Sequence, residues 1–209
     1  MVEQGSDEWK AMRLGKATAS RIADIVRKTK SGPSASRKNY AAELVVERLT
    51  GAPQDGFTSA AMQWGKDHEQ AARDLYSFIM DCEVEQIAFV DHPTIPMAGA
   101  SPDGLVSGGG LVEIKCPNTA THIATLLGAD IDPDYVVQMQ WQMACKNRDW
   151  CDFVSYDPRL PENMQMHIRR VIRDDLQIAE LEKEVSIFLA EVDETVAQLR
   201  AKFEVKEAA

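Results

Sequence analysis

Ser101-Pro102-Asp103-Gly104-Leu105-Val106 and Leu111-Val112-Glu113-Ile114-Lys115-Cys116-Pro117, joined by Ser107-Gly108-Gly109-Gly110, form the stretch whose reading decides the fold. Two apolar runs around a glycine-rich turn predict a β-hairpin. Side chains alternate across a strand, so Glu113 and Lys115 share one side while Val112 and Ile114 take the opposite, buried side. Asp103, at the start of the first strand, then faces Glu113 near the end of the second.

Outward from the hairpin the pattern is helical on both sides. Upstream, Thr18 and Ser20 are expected to cap a short helix carrying Ile22, Ile25 and Val26. Ser31-Gly32-Pro33-Ser34 breaks it. A second helix is expected from about 36 to 50, with Tyr40, Leu44, Val45 and Leu49 at helical spacing and Gly51 as its stop. A third should cover about 59–81 with Met62, Leu75, Phe78 and Ile79 inward, before a strand at 84–90. Downstream the pattern predicts helices near 119–127 and 133–146, strands near 152–156 and 164–171, and one amphipathic tail helix over 174–203. The expectation is a single α/β domain over residues 1–209, a mixed central sheet flanked by helices.

Composition places this among ordinary globular chains: 209 residues, 44% hydrophobic and 27% charged. No apolar run approaches the roughly 20 residues that cross a bilayer, and the N-terminal residues lack a signal-peptide pattern. A cytoplasmic address without membrane partners is the expectation. Cys82, Cys116, Cys145 and Cys151 lack zinc-finger spacing and read as free, buried thiols. The net charge of −10 argues against a nucleic-acid partner if taken alone. Its distribution tempers that, because Arg27, Lys28, Lys30, Arg37 and Lys38 crowd one short stretch while acids dominate the last third.

Two carboxylates and an ammonium converging on one spot are hard oxygen donors beside a cation. Mg²⁺ takes about one or two carboxylates and completes its shell with waters and substrate phosphates. Such a site suits phosphodiester hydrolysis, with a second ion about 4 Å away serving the leaving oxygen. Lys115 could orient or deprotonate the attacking water, or stabilise charge on phosphorus. Taken alone, these residues equally describe solvated charges at a hairpin edge.

Further segments carry a resemblance. Ser101-Pro102-Asp103-Gly104 with Glu113-Ile114-Lys115-Cys116-Pro117 resembles the core of the phage λ exonuclease and YqaJ-like viral recombinase family, within the PD-(D/E)xK nucleases. In order along the chain, four more segments resemble that family: Trp9-Lys10-Ala11-Met12-Arg13-Leu14-Gly15 with Thr18-Ala19-Ser20; Trp64-Gly65-Lys66-Asp67-His68-Glu69 with Ala72-Arg73; Tyr135-Val136-Val137-Gln138-Met139-Gln140; and Tyr156-Asp157-Pro158-Arg159. The likeness spans about residues 8–200.

The resemblance implies a restriction-endonuclease-like core. It implies Mg²⁺, two ions with Mn²⁺ able to substitute, bound by Asp103, Glu113 and the Ile114 carbonyl, with Lys115 catalytic. Glu69 would complete the site from its helix and Gln138 would close it from another. Arg13, Ser20 and Ser101 would hold the 5′-phosphate of a linear duplex end, giving 5′→3′ digestion to 5′-mononucleotides and a 3′ overhang for strand annealing. The family also implies a phage or prophage origin, a ring-shaped homotrimer and a single-strand annealing partner. Lys28, Lys30, Arg37 and Lys38 are expected either to face the duplex or to form a solvated loop. Two other readings stay open: a structure-specific or restriction-like endonuclease, and a silent DNA-binding scaffold for an annealing protein.

Overall fold

The computed structural model describes residues 2–29, 32–54 and 59–203. Helix α1 (Asp7–Arg13) leads to strand β1 (Ala17–Thr18), a single 3-10 turn (Ala19–Arg21) and α2 (Ile22–Val26). The short β2 (Lys28–Thr29) and β3 (Gly32–Pro33) precede α3 (Ala35–Thr50) and α4 (Ala60–Met80). Strands β4 (Val84–Glu85), β5 (Val90–Asp91), β6 (Ala98–Ala100), β7 (Gly104–Val106) and β8 (Gly110–Lys115) follow. Helices α5 (Thr119–Leu126) and α6 (Pro133–Lys146), strands β9 (Trp150–Tyr156) and β10 (Met166–Ile172), and α7 (Asp175–Phe203) complete the order.

The central sheet runs β10-β9-β8-β7-β4. The predicted hairpin is its middle, with Gly104 opposite Val112 and Leu105 opposite Leu111. Strand β9 lies parallel to β8, with Glu113 opposite Phe153 and Lys115 opposite Ser155. A parallel neighbour requires a crossover, and α5 and α6 supply it. A small second sheet pairs β1 parallel to β6 and β5 antiparallel to it.

Helices cover both faces of the large sheet. Val106, Val112, Ile114, Val154 and Tyr156 pack on Ala72 and Tyr76 of α4. On the other face, Leu105, Leu111, Cys151 and Phe153 pack on Met139 and Met143 of α6. A third cluster joins α2, α3 and α7 around Tyr40, Leu44, Phe188 and Trp141. The mixed α/β architecture is therefore as expected. Glu113 and Lys115 sit on the α6 face, and Glu113 is as buried as Val112.

Helix ends follow local chemistry. Ser34, Ser59 and Asn118 each accept a hydrogen bond from the amide three residues on, satisfying groups that the helix itself leaves open. Gly51 ends α3 in the left-handed conformation, φ +67°.

Several local expectations are corrected. Neither Thr18 nor Ser20 caps a helix, because the chain enters α2 through a 3-10 turn that makes no side-chain cap. Met62, Phe78 and Ile79 point outward; α4 buries Ala72, Arg73 and Tyr76 instead, and Leu49 of α3 is also exposed. The 84–90 stretch divides between two sheets, with β4 on β7 and β5 on β6. Helix α7 is unbroken. No helix among the described residues is long and apolar enough to cross a membrane.

Candidate active site

The hairpin ends where the chemistry gathers. Beyond Gly104, strand β7 has no more residues to pair with β8, so the Ile114 amide turns to a side chain. It donates to Asp103 Oδ2 at 2.6 Å. Within a strand the N–H and C=O of one residue point to the same edge, so the Ile114 carbonyl also faces Asp103. Burial, then the nearby charges of Glu113 and Glu69, push the Asp103 carboxyl well above its ordinary value, against the opposing pull of Lys115.

Glu113 is 1% exposed and held at both oxygens. Oε1 accepts from Lys115 Nζ and from Gln138 Nε2 at 2.6 Å. Oε2 accepts from Gln142 Nε2 at 2.6 Å. Gln138 and Gln142 are four residues apart on α6, one turn of a helix, and so reach the same carboxylate. The Gln142 carbonyl oxygen is buried without a hydrogen-bond partner among the described residues. Lys115 Nζ also lies 4.6 Å from the Tyr135 ring centroid and 3.4 Å from Gln138 Oε1. Burial alone would lower the Lys115 pKa; Glu113 and Asp103 outweigh it and raise it, keeping the ammonium charged.

Glu69 comes from α4, across the sheet from Glu113. It is paired with Arg73, whose Nε donates to the Asp103 carbonyl at 3.1 Å and whose Nη1 donates to Gln70 at 2.7 Å. Arg73 thus ties Glu69 to the backbone of Asp103.

A second cluster adjoins the first. Arg13 Nη1 donates to Ser101 Oγ at 3.2 Å, and Trp9 Nε1 donates to the same oxygen at 3.0 Å. The Arg13 guanidinium stacks 4.2 Å from the Trp9 ring centroid. The parallel pairing of Thr18 with Gly99 brings the residues after both strands, Ser20 and Ser101, to one end of the small sheet. Ser20 is exposed there and takes no part in the Arg13–Ser101–Trp9 hydrogen bonds.

The basic stretch is largely committed elsewhere. Lys28 pairs with Glu184 at 3.0 Å and Arg37 with Glu191 at 2.6 Å, both on α7, while Lys38 is exposed. Lys30 lies outside the described residues. Sequence reasoning missed Gln142, Arg73, Tyr135 and Trp9. Spacing offered a signal for Gln142, at one turn from Gln138; Trp9, Arg73 and Tyr135 stood within the family-like segments without a role.

The donors present fit a hard divalent cation. Two carboxylates, one raised in pKa by burial and then by its anionic neighbours, and a carbonyl at the sheet edge form a set of oxygen donors. No group of three or more His, Cys, Asp or Glu able to hold a metal occurs among the described residues. That leaves the remaining positions to water and phosphate, as Mg²⁺ prefers.

A mixed sheet between helices, with an Asp and a Glu-x-Lys pair meeting at its hairpin, defines a nuclease of the PD-(D/E)xK class. Within that class the chain belongs to the YqaJ-like viral recombinase family, whose domain matches residues 8–149. Two crystal structures of an alkaline exonuclease from Laribacter hongkongensis (LHK-Exo), one in complex with dAMP, are 52% identical to it. Both superpose with a TM-score of 0.88 over 94% of this chain and 97% of theirs. A phage-related exonuclease from Haemophilus somnus 129PT shares the fold at 17% identity, TM-score 0.67, over 88% of this chain and 96% of its own. No curated protein matches the chain.

Proposed function

We propose that the protein is a Mg²⁺-dependent 5′→3′ exonuclease on linear double-stranded DNA, releasing 5′-mononucleotides and leaving 3′ single strands for recombination by strand annealing. The observation that carries this is the adjacency of two sites. Ser101 of the Arg13 cluster and Asp103 of the carboxylate cluster are two residues apart, a reach of at most about 7 Å. A terminal 5′-phosphate bound at Arg13 and Ser101, with Ser20 at the rim, sets the next phosphodiester beside Asp103 and Glu113. That register removes one nucleotide per step. The complex of LHK-Exo with dAMP, a mononucleotide, agrees with it.

Asp103, Glu113 and the Ile114 carbonyl would hold Mg²⁺ or Mn²⁺, with Glu69 released from Arg73 to a second ion or its waters. A metal held there would lower the pKa of a bound water and offset charge growing on the phosphoryl oxygens. Gln138 and Gln142 fix the plane of the Glu113 carboxylate so that it need not reorganise during reaction. Lys115, kept cationic by Glu113 and Asp103, donates toward the attacking water or the equatorial phosphoryl oxygens. Arg13 supplies a planar guanidinium and Ser101 a hydroxyl, groups that match phosphate oxygens.

The endonuclease alternative shares this core and lacks a use for the Arg13–Ser101 cluster beside it. Digestion of linear and covalently closed circular duplex, each with Mg²⁺ and with chelator, separates the two. Loss of the linear form alone, and only with metal, is the expected result. Cutting of the intact circle would overturn the exonuclease reading. Assembly as a ring-shaped homotrimer and recruitment of a single-strand annealing protein complete the proposal.

A further inference from the structure

Helix α3 carries three side chains that grip the backbone between Arg13 and Ser20, although none of them belongs to either cluster. Tyr40, Glu47 and Arg48 stand seven and eight residues apart, two turns of one helical face. Glu47 Oε2 accepts from the Gly15 amide at 2.7 Å, and Arg48 Nε donates to the Gly15 carbonyl at 2.9 Å. Tyr40 Oη accepts from the Thr18 amide at 3.0 Å and donates to the Lys16 carbonyl at 3.3 Å. Both backbone polar groups of Gly15 are therefore taken by consecutive side chains of one helix.

Gly15 is shaped for this grip. Its φ of +67° suits glycine, and a Cβ there would meet Arg48 Cγ at 2.9 Å. The turn it makes carries the chain from the end of α1, where Arg13 projects, to β1, which leads to Ser20. Arg48 is itself fixed, 9% exposed and paired with Asp193 of α7. Glu47 and Arg48 also line a cleft of about 390 Å³ together with Leu14, Gly15, Met97 and Val196.

We infer that Tyr40, Glu47 and Arg48 are positioning residues that set the distance between Arg13 and Ser20, and so tune recognition of the terminal 5′-phosphate. The inference rests on the 5′-phosphate reading proposed above. Misplacing a group by about 1 Å can cost up to about a hundredfold in rate, and a two-point grip on one residue's backbone is a device against such drift.

The test measures the ratio of initial rates on 5′-phosphorylated and 5′-hydroxyl linear duplexes for the full chain with Mg²⁺. Glu47→Ala and Tyr40→Phe should each lower that ratio roughly tenfold, with thermal melts confirming a folded protein. Glu47→Gln keeps an acceptor for the Gly15 amide and should restore the wild-type ratio. A role in stability alone would slow both substrates together. A wild-type preference undiminished in both Glu47→Ala and Tyr40→Phe overturns this inference alone. A wild-type ratio near one overturns the 5′-phosphate reading, and this inference falls with it.

Discussion

Lys115 meets three groups at once: the Glu113 carboxylate, the Gln138 carbonyl and the Tyr135 ring. Its replacement by Ala removes a cation that faces both Glu113 and Asp103, so turnover should fall by about a hundredfold or more. DNA affinity, measured by fluorescence anisotropy in Ca²⁺, should stay close to wild type. Wild-type turnover would refute the assigned role. Asp103 offers a prediction with a definite sign. Its carboxyl is raised above the ordinary value of 3.8 by burial and by Glu113 and Glu69. Above 3.8 the folded protein therefore holds a proton that the unfolded chain has released, and stability falls as pH rises through that window. In chelator, Asp103→Asn should flatten this decline and melt higher than wild type at pH 8, while losing Mg²⁺ binding by calorimetry. A variant that melts lower with an unchanged pH slope would show the carboxylate to be well accommodated without metal.

At the scale of elements, the β8–β9 pair positions Glu113, and it tolerates no side chain at its start. A Cβ on Gly110 would run into the Trp150 ring, over which the Arg170 guanidinium lies 3.5 Å from the centroid. Gly110→Ala should cost about 1–3 kcal/mol, read as a shift in urea midpoint; an unchanged midpoint would mean that the ring moves freely. The hairpin was legible because its apolar alternation and glycine turn are local. Helix α4 was not read correctly, since Phe78 and Ile79 are apolar yet exposed while Arg73 is buried to reach Asp103 and Glu69. Periodicity sees hydrophobicity, and a buried arginine placed by a site is invisible to it. Gln142 was missed for the same reason, because its partner Glu113 lies 29 residues away. The division of 84–90 between two sheets depends on partners such as Ala100 and Val106, which no local pattern names.

Across the whole molecule, the net charge of −10 is accompanied by cations that acids of α7 already hold. Glu184, Glu191 and Asp193 of α7 face Lys28, Arg37 and Arg48. The exposed Lys28–Glu184 pair contributes little to stability, so DNA phosphates can compete for Lys28 at small cost. If Lys28, Arg37 and Lys38 line the duplex path, their joint replacement by Ala should weaken binding. The slope of log K against log salt should become shallower by about 0.9 for each phosphate that is no longer neutralised. Unchanged affinity and slope would remove them from the interface. Light scattering that shows three protein masses in solution would support the proposed ring, and a monomer at all concentrations would contradict it.

If the two carboxylates and the lysine act as proposed, cutting DNA one nucleotide at a time from a 5′-phosphorylated end, the products should appear in a distinct order. A linear duplex labelled separately at each end of one strand, digested with Mg²⁺ and sampled in time, reads that order most directly. The expected result is early release of the 5′ label as a mononucleotide, while the 3′ label persists in long single strands. Early release of the 3′ label, or a first product longer than one nucleotide, would contradict it.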